Sequence, residues 1–200
     1  MRFALQDELQ VRAYVRRPER LESDLVDHHR LEIAKGDFND HDAVEAALAD
    51  VDLVICAGGN RQASRRHPMM FGLVQAIVRG MRQHDVRRFV YQAGGFSEPP
   101  GQSNPWVLQN ILRPLAERFV GIGGVLADNE KVMAFLDAEA EDLAWTVTRP
   151  GVVRERPSGG IVTVLDRPGP TCRYIDLARF TLDLARTQDH IHAFPFVGYS

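Results

Sequence analysis

The stretch Val51-Asp52-Leu53-Val54-Ile55-Cys56-Ala57-Gly58-Gly59-Asn60 decides how this chain is read. Four of its first five residues are apolar, with no alternation, and a glycine pair stops the run. Such a segment suits a strand buried on both faces. Residues 68–84 follow with Met69, Leu73, Val74, Ile77 and Met81 at helical spacing. Arg88-Phe89-Val90-Tyr91 is then a second strand, ended by Gly94-Gly95. Buried strands separated by helices indicate a parallel sheet built of βαβ units.

The same alternation extends in both directions. Toward the N-terminus, Val11-Arg12-Ala13-Tyr14-Val15 predicts a strand stopped by Pro18, and residues 18–25 a short helical stretch. Leu31-Glu32-Ile33-Ala34-Lys35 predicts another strand, ended by Gly36-Asp37. Asn39 or Asp40 caps a helix with the face Val44, Ala47 and Leu48. Residues 1–9 read as the end of a helix, since no cap precedes them. Toward the C-terminus, residues 129–139 predict a helix and Trp145-Thr146-Val147-Thr148 a strand running into Arg149-Pro150-Gly151. Ile161-Val162-Thr163-Val164-Leu165 is a further strand, and residues 175–187 a helix. Residues 96–127 resist a simple reading; an excursion after a strand's carboxyl end is where substrate-side structure sits, and a loop with a packing helix would look the same.

With 200 residues, the chain is long enough for one domain with a sizeable core, and residues 1–200 are read as one. Apolar residues make up 44% and charged residues 26%, a globular balance. The net charge of −3 gives no general attraction to nucleic acid or anionic membrane. No run approaches the ~18 apolar residues that span a bilayer. Cys56 and Cys172 form no CxxC pair, which favours a reduced, cytoplasmic setting.

The order of segments resembles the atypical short-chain reductases with an NAD(P)H-binding domain, the group of NmrA-like proteins and biliverdin-IXβ/flavin reductases. The matching pieces are Val11 through Pro18, Lys35-Gly36-Asp37, Val51 through Gly58, Arg88-Phe89-Val90-Tyr91 and Trp145 through Gly151. The tail adds Val162 through Pro170 and Tyr174-Ile175-Asp176-Leu177-Ala178, similar to the flavin reductase branch. The resemblance implies an α/β, Rossmann-like, doubly wound and mainly parallel sheet. It also implies a first strand and GxxGxxG turn, missing here, roughly 15–20 residues upstream of Met1. Without that central strand, its neighbours must pair directly or leave backbone groups unpaired. Gly121-Ile122-Gly123-Gly124 follows no apolar strand and is a poor phosphate loop.

Within this frame, Arg16 and Arg17 follow the strand at 11–15, where an acid would bind a ribose 2′-hydroxyl and a base accommodates a 2′-phosphate. Planar, permanently charged guanidinium groups suit phosphate, so NADP(H) is expected over NAD(H). A solvated basic turn is the plainer alternative. The resemblance places Asp37 and Phe38 against the adenine; Asp37 could equally just shape its turn. Ala57, Gly58 and Gly59 are small enough for a cofactor to approach the backbone closely. Gln92, Ala93 and Gly94 end the next strand where many relatives carry serine. Tyr91 is followed four residues later by Gly95, so no Tyr-x-x-x-Lys pair is present. The resemblance brings the backbone of Pro150 and Gly151 near the nicotinamide; where the flavin reductase branch has histidine, Gly151 and Val152 stand. Lys131 and Glu130 are the catalytic candidates, on a helix where some relatives carry a functional Lys or His; both also fit a solvated helix face. Arg61, Arg65, Arg66 and His67 form a basic cluster suited to a phosphate or to plain solvation. His190-x-His192 lacks acidic partners, so no metal site is expected. No Ser-His-Asp arrangement with a nucleophile elbow is present.

Two function classes follow. One is an NADP(H)-dependent oxidoreductase passing hydride to a small planar acceptor such as a flavin or quinone. The other is an NmrA-like sensor or scaffold that binds a dinucleotide without turnover.

Overall fold

The computed structural model of the chain describes residues 1–58, 69–169 and 171–200. They fall into two compact units: Met1–Val51 with Gly72–Val86, and Asp52–Phe71 with Arg87–Ser200.

The first unit begins with α1 (Arg2–Gln6), followed by β1 (Val11–Val15), a 3-10 turn (Pro18–Arg20), α2 (Ser23–Val26), β2 (Leu31–Lys35) and α3 (His41–Ala46). β1 and β2 pair in parallel, Val11 opposite Leu31 and Val15 opposite Lys35. Both strands therefore end on the same side, and the Gly36 N–H still donates to Val15 O at 3.1 Å. Of the two caps the sequence offers, Asn39 and Asp40, it is Asp40 whose carboxylate accepts the Ala43 N–H, at 3.2 Å. The half-buried Arg12 side chain ends in a guanidinium that donates to Ala47 O at 3.2 Å, tying β1 to the end of α3.

The second unit holds β3 (Leu53–Cys56), β4 (Arg88–Gln92), a π-helical turn (Leu108–Leu112), α5 (Arg113–Val120) and α6 (Gly123–Glu139). It continues with β5 (Ala144–Pro150), β6 (Val153–Arg154), β7 (Val162–Leu165), β8 (Cys172–Arg173), α7 (Tyr174–Ala185) and β9 (Phe196–Tyr199). The helix α4 (Met70–Gln83) starts in this unit and continues in the other. Five strands form one sheet in the order β3-β4-β5-β9-β7. β3, β4, β5 and β9 are parallel; β7 runs antiparallel to β9. The fold is thus α/β with a mainly parallel sheet, as the alternation of segments predicts. β1 and β2 form a separate two-stranded sheet, and β6 pairs with β8 in another. β3 is an edge strand of its sheet, and Ile55 at its middle is exposed, whereas the sequence predicts burial on both faces.

The five-stranded sheet centres on β4 and β5, where Phe89, Val90, Tyr91, Trp145 and Val147 are fully buried. α7 covers one face through Leu184 and Ala185 against Val90, and through Leu177 against Val162, Cys172 and Val197. A buried cation sits among these apolar groups. Arg88 donates to Ala144 O, Thr146 Oγ1 and Leu184 O, each at 2.8 Å, so the guanidinium is held by oxygens rather than left bare.

α6 also organises the first turn of α4. The Asp128 carboxylate, fully buried, accepts the N–H groups of Met69 and Met70 at 2.8 Å and of Phe71 at 3.0 Å. This is an N-cap supplied from 57 to 59 residues away, and it places negative charge at the positive end of the helix. Phe71 meets Phe135 of α6 edge to face at 5.9 Å between ring centres.

Candidate functional site

In the first unit, the carboxyl ends of β1 and β2 bring Tyr14, Arg16, Asp37 and Phe38 together. Gly36 makes this possible. A Cβ at Gly36 would lie 2.1 Å from Tyr14 Oη and 2.4 Å from Cζ, so only glycine lets the tyrosine ring lie across the end of β2. Tyr14 Oη then donates to Asp37 O at 2.8 Å, and its ring stacks against Phe38 at 6.3 Å. On the Phe38 ring lies the Arg16 guanidinium, 5.1 Å from the ring centre. The ring holds the cation by its face and leaves the N–H fork for another partner. Asp37 Oδ1 accepts the Asn39 N–H at 2.8 Å and the Asn39 amide at 2.7 Å. The backbone bond from Asn39 is the main reason its carboxyl stays below the usual range; the Asn39 side chain and the Arg16 charge act the same way. Asp37 thus shapes its own turn through Oδ1. Arg17 is exposed at the start of the 3-10 turn.

In the second unit, the parallel strands β3, β4 and β5 end together. Beyond the strand proper, the Ala93 N–H donates to Thr148 O at 2.9 Å and the Gly95 N–H to Pro150 O at 2.7 Å. A Cβ at Gly95 would sit 2.8 Å from Pro150 O and 3.5 Å from Gly151 Cα. The backbone of residues 92–95 therefore lies directly against that of Pro150 and Gly151. Of the residues expected here, Ala93 and Pro150 are buried, while Gln92, Gly94, Gly58 and Gly151 are half-buried and Ala57 exposed. A Cβ at Gly94 would touch nothing nearer than the Asn129 amide at 4.0 Å, so the surface above it is open. These small residues fit close approach of a flat ligand to the backbone. Gly59, and the basic cluster Arg61, Arg65, Arg66 and His67, lie outside the described residues.

The hydroxyl that the sequence does not offer on β4 appears slightly later. Ser97 is fully buried and receives the Asn129 amide at 3.4 Å, while Tyr91 Oη donates to Asn129 Oδ1 at 2.6 Å. Burial pushes the Tyr91 hydroxyl well above its ordinary pKa, with the Cys56 and Asp128 charges adding to the effect. This network is enclosed and holds its tyrosine neutral. Cys56 is likewise pushed up by burial, to about 11.

Glu130 is committed elsewhere. It accepts Arg113 Nη1 at 2.6 Å and Nη2 at 3.2 Å, and the Glu98 N–H at 3.0 Å. Lys131 stands on the exposed face of α6. Gly121 follows the end of α5 and Gly123 opens α6, so the glycine-rich run joins two helices. Residues 96–127 carry a large apolar surface: Trp106 is 68% and Phe119 75% exposed, with Val107, Leu115 and Val120 beside them in the chain. Among the described residues no cluster of three His, Cys, Asp or Glu side chains could hold a metal ion. No described helix is long and apolar enough to cross a membrane.

Known proteins share this arrangement. ChuY, an anaerobillin reductase from Escherichia coli O157:H7, superposes with a TM-score of 0.77 at 15% identity, covering 98% of this chain and 87% of that one. A wide-type short-chain dehydrogenase/reductase from Veillonella parvula, solved in complex with NADP, gives 0.70 at 16% identity over 98% and 87%. The oxidoreductase ylbE from Lactococcus lactis gives 0.73 at 15% identity over 96% and 80%. At these identities the likeness is one of fold. No curated protein matches the sequence. The profile of the NAD(P)H-binding family matches residues 1–188, nearly the whole chain including both strand-end clusters, and the chain belongs to that family.

Proposed function

We propose that this protein is an NADP(H)-dependent oxidoreductase that passes a hydride to a small planar acceptor such as a flavin or quinone. The observation that carries the reading is Arg16 on the Phe38 ring at the carboxyl end of β1, its guanidinium 5.1 Å from the ring centre. A cation so placed suits a 2′-phosphate, and Arg17 beside it adds charge. Phe38 and Asp37 suit the adenine. Ala57 and Gly58, with Gln92, Ala93, Gly94, Pro150 and Gly151, suit close approach of a flat ring to the backbone. A bound reduced nicotinamide would supply the hydride; the chain's own contribution is orientation and exclusion of water. The exposed apolar stretch between Trp106 and Val120 suits a substrate-side surface for a planar molecule. Two free, buried cysteines suit a cytoplasmic setting, and a small molecule rather than nucleic acid or membrane is the expected partner.

A second reading, an NmrA-like dinucleotide sensor or scaffold, is favoured by one observation. Residues 92–95 and 150–151 bear no ionisable or hydroxyl side chain, Ser97 is sealed, and Glu130 is paired with Arg113.

Titration of the purified chain with NADPH and NADH, followed by the emission of exposed Trp106, separates these readings. Replacing Arg16 and Arg17 by Ala should weaken NADPH by roughly 10- to 100-fold, the value of one or two charge-assisted contacts, and NADH less than about threefold. Equal weakening of both cofactors would refute the phosphate assignment. Tight NADPH binding without oxidation by flavins or quinones would favour the sensor.

A further inference from the structure

A second, separate binding site is built around Arg149. This arginine belongs to β5 and is only 4% exposed. Its Nε donates to Phe194 O at 2.7 Å, and its Nη1 donates to Asn104 Oδ1 at 3.2 Å and, more weakly, to Ser97 O at 3.5 Å. The guanidinium lies flat on the Phe196 ring, 3.7 Å from its centre. All these partners are neutral. Burial lowers the pKa of the group to about 10, and Glu98 counters this only through space, without an ion pair. Arg149 therefore stays charged at neutral pH while its charge is unmatched by any contacting carboxylate among the described residues. Buried charges are ordinarily paired, because leaving one without a counter-charge is costly.

The arginine forms part of the wall of a pocket of about 340 Å³. Phe194, Phe196 and Leu165 supply apolar wall, Asn104 an amide, and Asp166 stands exposed on the rim. Nη2 makes none of the bonds above. The volume falls at the small end of ligand sites, and Gln102, Ser103, Asn104, Arg149 and Asp166 supply polar lining beside the apolar wall. We propose that this pocket binds a small, flat monocarboxylate, whose acid group meets Arg149 and whose ring lies against Phe194 and Phe196. A carboxylate supplies the missing counter-charge, and the guanidinium's planar fork is shaped for it. The Asp166 carboxylate at the rim opposes an anion, so it tempers affinity. The proposal does not depend on the dinucleotide, since none of the expected cofactor residues lines the pocket.

Benzoate is the probe, titrated without dinucleotide into ¹⁵N-labelled protein, with benzamide as its neutral isostere. Benzoate should shift the Asn104 amide and Arg149 Nε–H signals and bind at least tenfold tighter than benzamide. Asp166→Asn, a change at an exposed position, should tighten benzoate by roughly two- to fivefold, as expected for removing an exposed like charge. Arg149→Met should abolish the benzoate response and leave the weak benzamide response in place. Should Arg149→Met fail to fold, the benzamide comparison and Asp166→Asn decide alone. Equal binding of the two probes, absence of any benzoate shift at Asn104, or weaker benzoate binding by Asp166→Asn would each overturn the proposal.

Discussion

Removal of the Asp128 carboxylate should destabilise the chain more than any ordinary helix cap. In Asp128→Ala, three backbone N–H groups at the start of α4 lose their acceptor at once. The amide of Met70 belongs to a residue only 3% exposed, so it stays unsatisfied, at about 1–3 kcal/mol. Met69 and Phe71 are half-buried, so their amides recover water and cost about as much as a lost cap, roughly 0.5–2 kcal/mol. Together this is about 1.5–5 kcal/mol. At roughly 2–4 °C per kcal/mol for a chain of this size, Tm should fall by about 3–20 °C. Asp128→Asn keeps one acceptor oxygen, shared by up to two of the three donors, and should cost about 1–2 kcal/mol. Denaturant melts at pH 7 with all three proteins measure the differences. An alanine variant within about 0.5 kcal/mol of the parent would refute the remote cap. An asparagine variant as unstable as the alanine one would show that charge alone, and not hydrogen bonding, holds the helix start.

Gly36→Ala should destabilise by about 1–3 kcal/mol, because the new methyl overlaps the Tyr14 ring. In a Tyr14→Ala background the same change should cost under about 0.5 kcal/mol, and an equal cost in both backgrounds would count against the contact. Asp176 gives a pH prediction. Burial raises its pKa, but bonds from the Gly159 N–H at 2.7 Å, Ser158 Oγ at 2.6 Å and the Tyr199 hydroxyl, with the Arg173 charge, outweigh it, and the net shift is downward. A depressed carboxyl contributes stability above its unfolded value of about 3.9, and loses it as pH falls through the folded value. The stability gap between the parent and Asp176→Asn should therefore be constant above about pH 5 and shrink below about pH 4. Urea melts across pH 3–7 test this, and a gap that does not narrow would contradict it.

Much of the fold was legible because its strands are short apolar runs and its helices are stopped by caps or glycines. β1, β2, β4 and α7 lie where the patterns put them, and Asp40 caps α3. α6 was harder. It begins at Gly123, six residues before the predicted start, and it buries the polar Asp128 and Asn129 along with Leu126, Val132, Met133, Phe135 and Leu136, so its apolar pattern does not mark where it starts. β9 escaped notice because four residues with a glycine among them give no periodicity. Strand direction is also silent in a pattern of period two, so the antiparallel pairing of β7 with β9 could not be foreseen. The strand ends that carry the candidate site residues were readable from the pattern of apolar runs and glycines. The burial of Arg149 was not, because its partners at 97, 104 and 194–196 are distant in sequence and individually bland.

That dispersion has a bearing on how the molecule is made. Arg149 is stitched to the segment around Asn104, 45 residues before it, and to Phe194, 45 residues after it, with Phe196 beside it. Vectorial synthesis delivers the loop and the arginine first, and both must wait for the segment at 194–196 that cradles them. The sheet core around β4 and β5 can assemble while the chain still grows, but the compartment at Arg149 closes only once residues 194–196 have been made.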